Sequence, residues 1–342
     1  MTIQQIYELA IEMGIKADPR GTSAVKRLLE KRGKEYEELS SKKKKLFDLE
    51  SLKNPYSDTR ILFGDGSIEV DKVMAGIDAG APEVLLVDRL NQKGLRPGLH
   101  PEGSGPAGGA SGPEGEGIDL LISHHPSGHA FAALHEVMDI QVDMFADAGV
   151  PANVAHSLFD VRMQKVKRGI SPLNHSQAVD AARLLLVPLM AIHTVWDNLG
   201  NLFLGKYLSK RKFETAGDVL DYINEVPEFV EATKGKAGPY LAAGVPDRRA
   251  GKVVSNLTGG TNPSKDLYME LAKAGVGTIV EMHVPEEAVE ELSKRHVNVI
   301  DTGHMAADSI GANIFIDELE RQGVTVVPSS GLIRVKRKGK IV

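Results

Sequence analysis

The chain contains no cysteine. Disulfides, thiolate nucleophiles, iron–sulfur clusters and cysteine zinc sites are therefore excluded together. Any metal would have to be held by histidine nitrogen and carboxylate or carbonyl oxygen, which makes the 11 histidines the informative residues. Positive charge is not in excess: 41 basic and 46 acidic side chains leave a net charge of −5. A general nucleic-acid binder is usually basic over most of a domain, so nucleic acid is not expected as a partner. No apolar run approaches the ~18–20 residues of a membrane span, which excludes an integral membrane protein. The first 16 residues form an acidic amphipathic stretch without a basic n-region or an apolar h-region, so they do not read as a signal peptide and cytoplasmic residence is expected.

What remains is ordinary globular material. The chain has 342 residues, 25% charged and 42% hydrophobic, enough for about two domains or one large one with a full-sized core. Helical spacing of Ile3, Ile6, Leu9, Ala10 and Met13 predicts a helix over 2–14, and a second, highly charged one is expected over 23–50. Its Lys42, Lys43, Lys44 and Lys45 alternate with nearby acids, so it reads as a solvated helical arm rather than a single-sign binding face. From about residue 60, strands are expected at 60–63, 72–77, 118–122, 186–192, 252–257, 277–282, 297–300 and 323–327. Helices are expected between them near 81–93, 130–149, 157–168, 175–185, 197–209, 215–224, 263–274, 285–295 and 305–322. Strands separated by helices indicate βαβ units and a largely parallel sheet, so the class is α/β. Segment 94–117 carries nine glycines and four prolines in 24 residues, which predicts a flexible loop.

Chemistry concentrates at three junctions. Residues 118–126, IDLLISHHP, are an apolar strand followed by His124, His125 and a proline that stops the strand. Two neutral imidazoles at a strand end can converge on a divalent cation. Residues 189–197, LMAIHTVWD, give an apolar strand, His193 and then Asp197 where a helix opens. Residues 299–308, VIDTGHMAAD, repeat that layout with His304 and Asp308, which share a face if the segment is helical. In open α/β sheets ligands gather at this carboxyl edge of the strands. Five or six nitrogen and oxygen donors fit two ions better than one, since a zinc site uses about four ligands. The donor set suits Zn, Mn, Fe, Co or Ni without choosing among them.

SHHP (123–126), HTxxD (193–197) and DTGHxxxD (301–308), in that order over roughly residues 58–335 and with a strand ending near Asp78 ahead of the histidine pair, resemble the Nif-three-like family, whose members are also called GTP cyclohydrolase I type 2 homologues. The resemblance implies two similar α/β domains around a cleft with a dinuclear metal site, and often a hexameric ring. It maps the metal ligands onto His124, His125, Asp197 as the bridging carboxylate, His304 and Asp308. His193 falls beside that set as a supporting residue or an extra ligand, Ser123 lies next to the ligands, and Asp301 is placed to orient an imidazole. The family's last ligand is usually Glu, so Asp308 is one methylene shorter. The implied division is an N-terminal helical extension (1–55), a first α/β domain (56–204) completed by 300–342, and a second α/β domain (205–299).

Residues 256–263, NLTGGTNP, connect a strand to a helix. Thr258, Gly259, Gly260 and Thr261 form either a tight turn or a loop whose free amides bind an anion. No Gly-Lys-Ser/Thr follows, so it is not a Walker A sequence, and no Gly-x-Ser-x-Gly elbow supports a serine nucleophile. His193 and His283 are the candidate acid–base residues. His129 and His135 read as helix-surface residues. The function expected is a metal-dependent hydrolase of a small phosphate-containing or nucleotide-like molecule or a cyclic amide, in a homo-oligomer. The alternative is a non-enzymatic metal-dependent scaffold, metal store or regulator.

Overall fold

The structure is a computed structural model that describes residues 1–92 and 117–337. The loop expected at 94–117 lies, apart from Gly117, outside the described residues. Nine strands are present among them: β1 (Arg60–Phe63), β2 (Lys72–Gly76), β3 (Leu120–Ser123), β4 (Leu189–Ala191), β5 (Tyr240–Ala243), β6 (Lys252–Asn256), β7 (Val276–Glu281), β8 (Asn298–Asp301) and β9 (Thr325–Ser329). They make two sheets, in the orders β1-β4-β3-β2-β9 and β5-β8-β7-β6. Pairing is parallel except at β1–β4 and β5–β8, where an antiparallel edge strand carries a one-residue register shift in each sheet. The two sheets thus repeat one plan. Every residue of β3 and β4 is buried, as expected for central parallel strands covered on both faces, which is why they read as unbroken apolar runs.

Two helices leave the strands next to these edges. Thr194–Leu208 follows β4 and His304–Arg321 follows β8, and the two pack closely against each other in the main core. Their contact depends on glycine: a Cβ on Gly311 would lie 1.8 Å from the Trp196 carbonyl oxygen, and Gly200 sits against the Gly311 backbone. This crossing holds the starts of both helices, and therefore the ends of both sheets, at one place.

The N-terminal helix, Ile3–Ala17, begins with a capping box between Thr2 and Gln5 and buries Ile3, Ile6 and Ala10 in the same core. The charged helix that follows is shorter than the sequence suggests. It ends at Glu38, and Ser40 caps a new short turn at Ser41–Lys44. Asp48 and Glu50 then turn inward to pair with the buried Arg60 guanidinium. The helix expected near 130–149 is in three pieces, Gly128–Ala132, a 3-10 segment Leu134–Asp139, and Ile140–Asp147. Strand β5 and the helix Pro227–Lys234 were not expected. The strand is four residues long and mostly half-exposed, and the helix starts on a proline at its first turn, so neither shows a sustained period. No described helix is long and apolar enough to cross a membrane.

Candidate metal centre

The SHHP turn continues the parallel ladder beyond β3. The His124 amide donates to the Gly76 carbonyl at 2.9 Å and the His125 amide to that of Ile77 at 2.8 Å. The backbone is therefore fixed where both imidazoles leave it. His193 caps the Thr194–Leu208 helix and Asp197 lies in its first turn. His304 opens the other helix after Gly303, whose φ of +80° is the left-handed conformation that favours glycine. Asp308 lies one turn further on the same face. A single helix crossing thus brings together donors from junctions far apart in the chain.

Three groups of donors result: His124, Asp197 and Asp308; His125, His304 and Asp308; and His124, His125 and His193, each with ligand atoms within 4.8 Å of one another. Asp308 Oδ1 lies 3.6 Å from His124 Nε2, while its Oδ2 lies 3.3 Å from His304 Nε2 and 3.5 Å from His125 Nε2. Asp197 Oδ1 approaches His124 Nε2 at 3.2 Å. The carboxylate common to two of these groups is Asp308, where the resemblance implied Asp197 as the bridge.

These residues fit a cation. Asp197 Oδ1 and both oxygens of Asp308 are buried and make no hydrogen bond, a costly condition for a carboxylate unless a positive charge faces it. His125 Nε2 and His304 Nε2 lie 3.2 Å apart, and two imidazole lone pairs cannot face each other at that distance without a proton or metal between them. The electrostatics agree. Burial opposes charge on His124, but the Asp308 and Asp197 carboxylates outweigh it and raise its pKa well above the usual imidazole range. His125 is also raised, against burial, through Asp308. Burial works against charge on Asp308 as well, but the His124 imidazole holds its pKa far below the carboxylate range. Burial lowers His304 to about 4.

A further ring of acceptors sets the tautomers. Nδ1 of His124 donates to the Ile192 carbonyl at 3.2 Å, that of His125 to Asp78 Oδ1 at 2.8 Å, and that of His193 to Asp58 Oδ2 at 2.9 Å. Each bond leaves Nε2 as the donor atom for a metal, the usual arrangement around metal-binding imidazoles. Asp58 also accepts from the Thr194 hydroxyl at 2.6 Å and is fully buried. Sequence reasoning missed Asp58, because nothing in the local pattern connects an acid before β1 with a histidine after β4.

The other candidates sit as follows. Ser123 is buried and its Oγ has no partner. Asp301 Oδ1 accepts from the Gly303 amide at 3.0 Å and its Oδ2 lies 3.5 Å from the Tyr240 hydroxyl. His283 stacks obliquely on His304, with ring centroids 4.7 Å apart, and burial lowers its pKa. In the Thr258–Thr261 loop, Gly259 and Gly260 have φ of +98° and +82°. Gln141 clasps this loop by donating to the Gly259 and Thr261 carbonyls. Of these, His283, Thr258, Gly260 and Thr261 line one cavity of about 220 Å³ beside the donor groups, together with Phe131, Leu134, Asn256, Asn262 and Glu281. Asn256 and Glu281 also escaped sequence reasoning. Glu281 is buried, and that burial pushes its carboxyl up to about 8.

Fold and site together define a two-domain α/β protein with a buried His/Asp centre compatible with metal binding. No family model matches the sequence and no curated protein matches it. Among solved structures, a protein of Sphaerobacter thermophilus described as a NIF3 superfamily protein is 27% identical, with a TM-score of 0.67 over 81% of this chain and 92% of that one. Fainter likenesses are HcgD from Methanocaldococcus jannaschii (12% identical, TM-score 0.45, covering 84% and 94%) and a Bacillus cereus protein related to NIF3 (10%, 0.42, 96% of each). The chain is similar in fold and sequence to that NIF3 superfamily protein.

Proposed function

We propose that this chain is a hydrolase that holds two divalent cations, one between His124, Asp197 and Asp308 and the other between His125, His304 and Asp308, and that it cleaves a small polar substrate. The observation that carries the reading is the pair of buried, unpartnered Asp308 oxygens facing two different sets of imidazoles. Zn, Mn, Fe, Co and Ni all suit such a donor set. Bound cations of this kind supply Lewis acidity and bring water to a pKa of about 7.

The chain's own residues do the rest. Asp58 keeps the His193 Nδ1 proton in place, so His193 presents Nε2 to the cluster. His283, kept neutral by burial and set against His304, is the base that takes up the proton of the attacking water and then, as imidazolium, returns it to the leaving atom. Phe131, Leu134 and Pro126 give the cavity apolar walls, which strengthen electrostatic interactions inside it. The size, about 220 Å³, is below the ~300–1,000 Å³ of drug-sized sites and favours a small molecule. A phosphate-containing or nucleotide-like substrate would rely on the cations and on the Thr258–Thr261 amides, because no lysine or arginine is among the described residues lining the cavity. That lining favours an uncharged substrate such as a cyclic amide. Self-association in the cytoplasm belongs to the same proposal and is tested by native mass.

The experiment is to purify the protein with its metals retained and to screen hydrolysis of phosphate esters, nucleotides and cyclic amides. A turnover abolished by Asp197→Ala is the expected result. Equal activity of Asp197→Ala and wild type on the best substrate rejects the mechanism. Loss of assembly on chelation, with no turnover found, would instead favour a metal-dependent scaffold.

A further inference from the structure

The cavity has a second chemical end. Asn256 closes β6, Glu281 closes β7, and the two are paired neighbours in the second sheet. Asn256 Nδ2 donates to Glu281 Oε1 at 3.3 Å and lies at the same distance from Gln141 Oε1. The Tyr268 hydroxyl donates to Glu281 Oε2 at 2.5 Å. Asn262 Nδ2 is taken up by the Tyr268 oxygen and the His283 carbonyl. The amide donors at this end are thus committed inside the protein. What stays open is acceptor capacity: Asn256 Oδ1 is buried with no partner, and each Glu281 oxygen has a remaining lone pair. Turning the Asn256 amide over would not relieve this, since it would set one oxygen against another.

With the Asn256 and Asn262 side-chain amides committed and Asn256 Oδ1 unpartnered, this end favours a ligand that brings donors. The lining excludes other classes. An anionic group would set its acceptors against the unpartnered Asn256 Oδ1, with no lysine or arginine among the described lining residues to draw it to this end. A purely apolar group would leave Asn256 Oδ1 unsatisfied. The volume limits the occupant to a small ring, and the apolar walls suit a flat one.

We propose that Asn256 and Glu281 form a recognition subsite for the N–H edge of a small uncharged nitrogen ring of the cyclic amide or ureide class. This rests on the hydrolase reading for the purpose of the site, but not for the binding itself. A ring carbonyl and its neighbouring N–H also match a carboxyl group in its protonated form, donor to acceptor on both sides. Glu281 is a specificity-determining residue here and takes no part in bond cleavage.

The test uses the full chain, metal-loaded and chelated, with dihydrouracil as the probe and its N,N′-dimethyl derivative as the control that keeps the ring and both carbonyls but has no N–H. Binding is followed by ligand-observed NMR and titration calorimetry. The expected result is at least a tenfold preference of the wild-type protein for dihydrouracil, retained after chelation, and a loss of that preference in Glu281→Met, which keeps the length of the side chain and removes both oxygens. The wild-type comparison needs no variant, so misfolding of Glu281→Met cannot obscure it. Equal binding of the two probes, or no binding of dihydrouracil at millimolar concentration, overturns the subsite. Discrimination without turnover of any cyclic amide would leave the subsite standing and reject the hydrolase; turnover without discrimination would do the reverse.

Discussion

Asp58 Oδ2 accepts the Nδ1 proton of His193 at 2.9 Å, across 135 residues of chain and entirely inside the protein. The same oxygen accepts from Thr194, so one buried acid fixes both the tautomer and the helix start beside the donor cluster. Asp58→Asn keeps the shape and removes the charge. The expected outcome is metal affinity lower by about 10–100-fold, the usual scale for altering an outer residue that orders the groups around a metal, because His193 packs beside His124 and His125, with little change in the far-ultraviolet circular dichroism. Competition titration against a chromogenic chelator measures it, and an unchanged affinity would remove Asp58 from the metal site.

The length of the Asp308 side chain, which belongs to two of the donor groups, is also open to test. Asp308→Glu lengthens the side chain by one methylene, while Asp308→Asn keeps the size but removes the charge. Two bound ions per chain are expected with Glu and fewer than one with Asn. Equal metal content in wild type and Asp308→Asn would mean that this carboxylate holds nothing.

The crossing of the two site helices separates two glycines that look alike in sequence. Gly311→Ala would place a methyl 1.8 Å from the Trp196 carbonyl oxygen, whereas Gly200→Ala would place one 3.5 Å from its nearest neighbour. The first is expected to cost about 3 kcal/mol or more by forcing the helices apart. The second is expected within about 1 kcal/mol of wild type, helped by the better helix propensity of alanine. Urea unfolding of both variants compares them directly, and equal stabilities would contradict the close crossing.

Glu281 makes stability depend on pH. Burial raises its carboxyl to about 8, against about 4.3 in an unfolded chain. Between those values the folded protein keeps a proton that the unfolded chain has released. This contribution is therefore full below about pH 4 and is lost as pH rises to about 8, with a slope of at most about 1.4 kcal/mol per pH unit. Glu281→Gln removes that slope. The stability difference between variant and wild type should shift in the variant's favour from pH 5 to pH 8.5 in denaturant titrations; a difference independent of pH would show that Glu281 ionises normally.

The two-sheet architecture was legible because buried parallel strands are short unbroken apolar runs, and seven of the eight expected strands overlap observed ones closely enough to place the histidines at their ends; the eighth, expected over 186–192, contains the much shorter Leu189–Ala191. His124, His125, Asp197, His304 and Asp308 were legible as candidates because each follows such a strand. Their convergence was not, since it depends on how closely Gly311 lets two helices cross. Asp58 was invisible for a related reason: its partner is distant in the chain, and a lone acid before a strand has no local signature. Glu281 and Asn256 end β7 and β6 in the apolar context of ordinary strand residues, and only the fold shows that both face a cavity. The charged N-terminal helix was overextended because periodicity alone cannot show that Asp48 and Glu50 leave it to reach Arg60.

Metal content decides the main question. Inductively coupled plasma mass spectrometry on protein from unsupplemented cells should find close to two transition-metal ions per chain, and close to none in the Asp197→Ala, Asp308→Ala double variant. Protein that carries no metal, or a double variant that carries as much as wild type, would contradict the paired-cation centre.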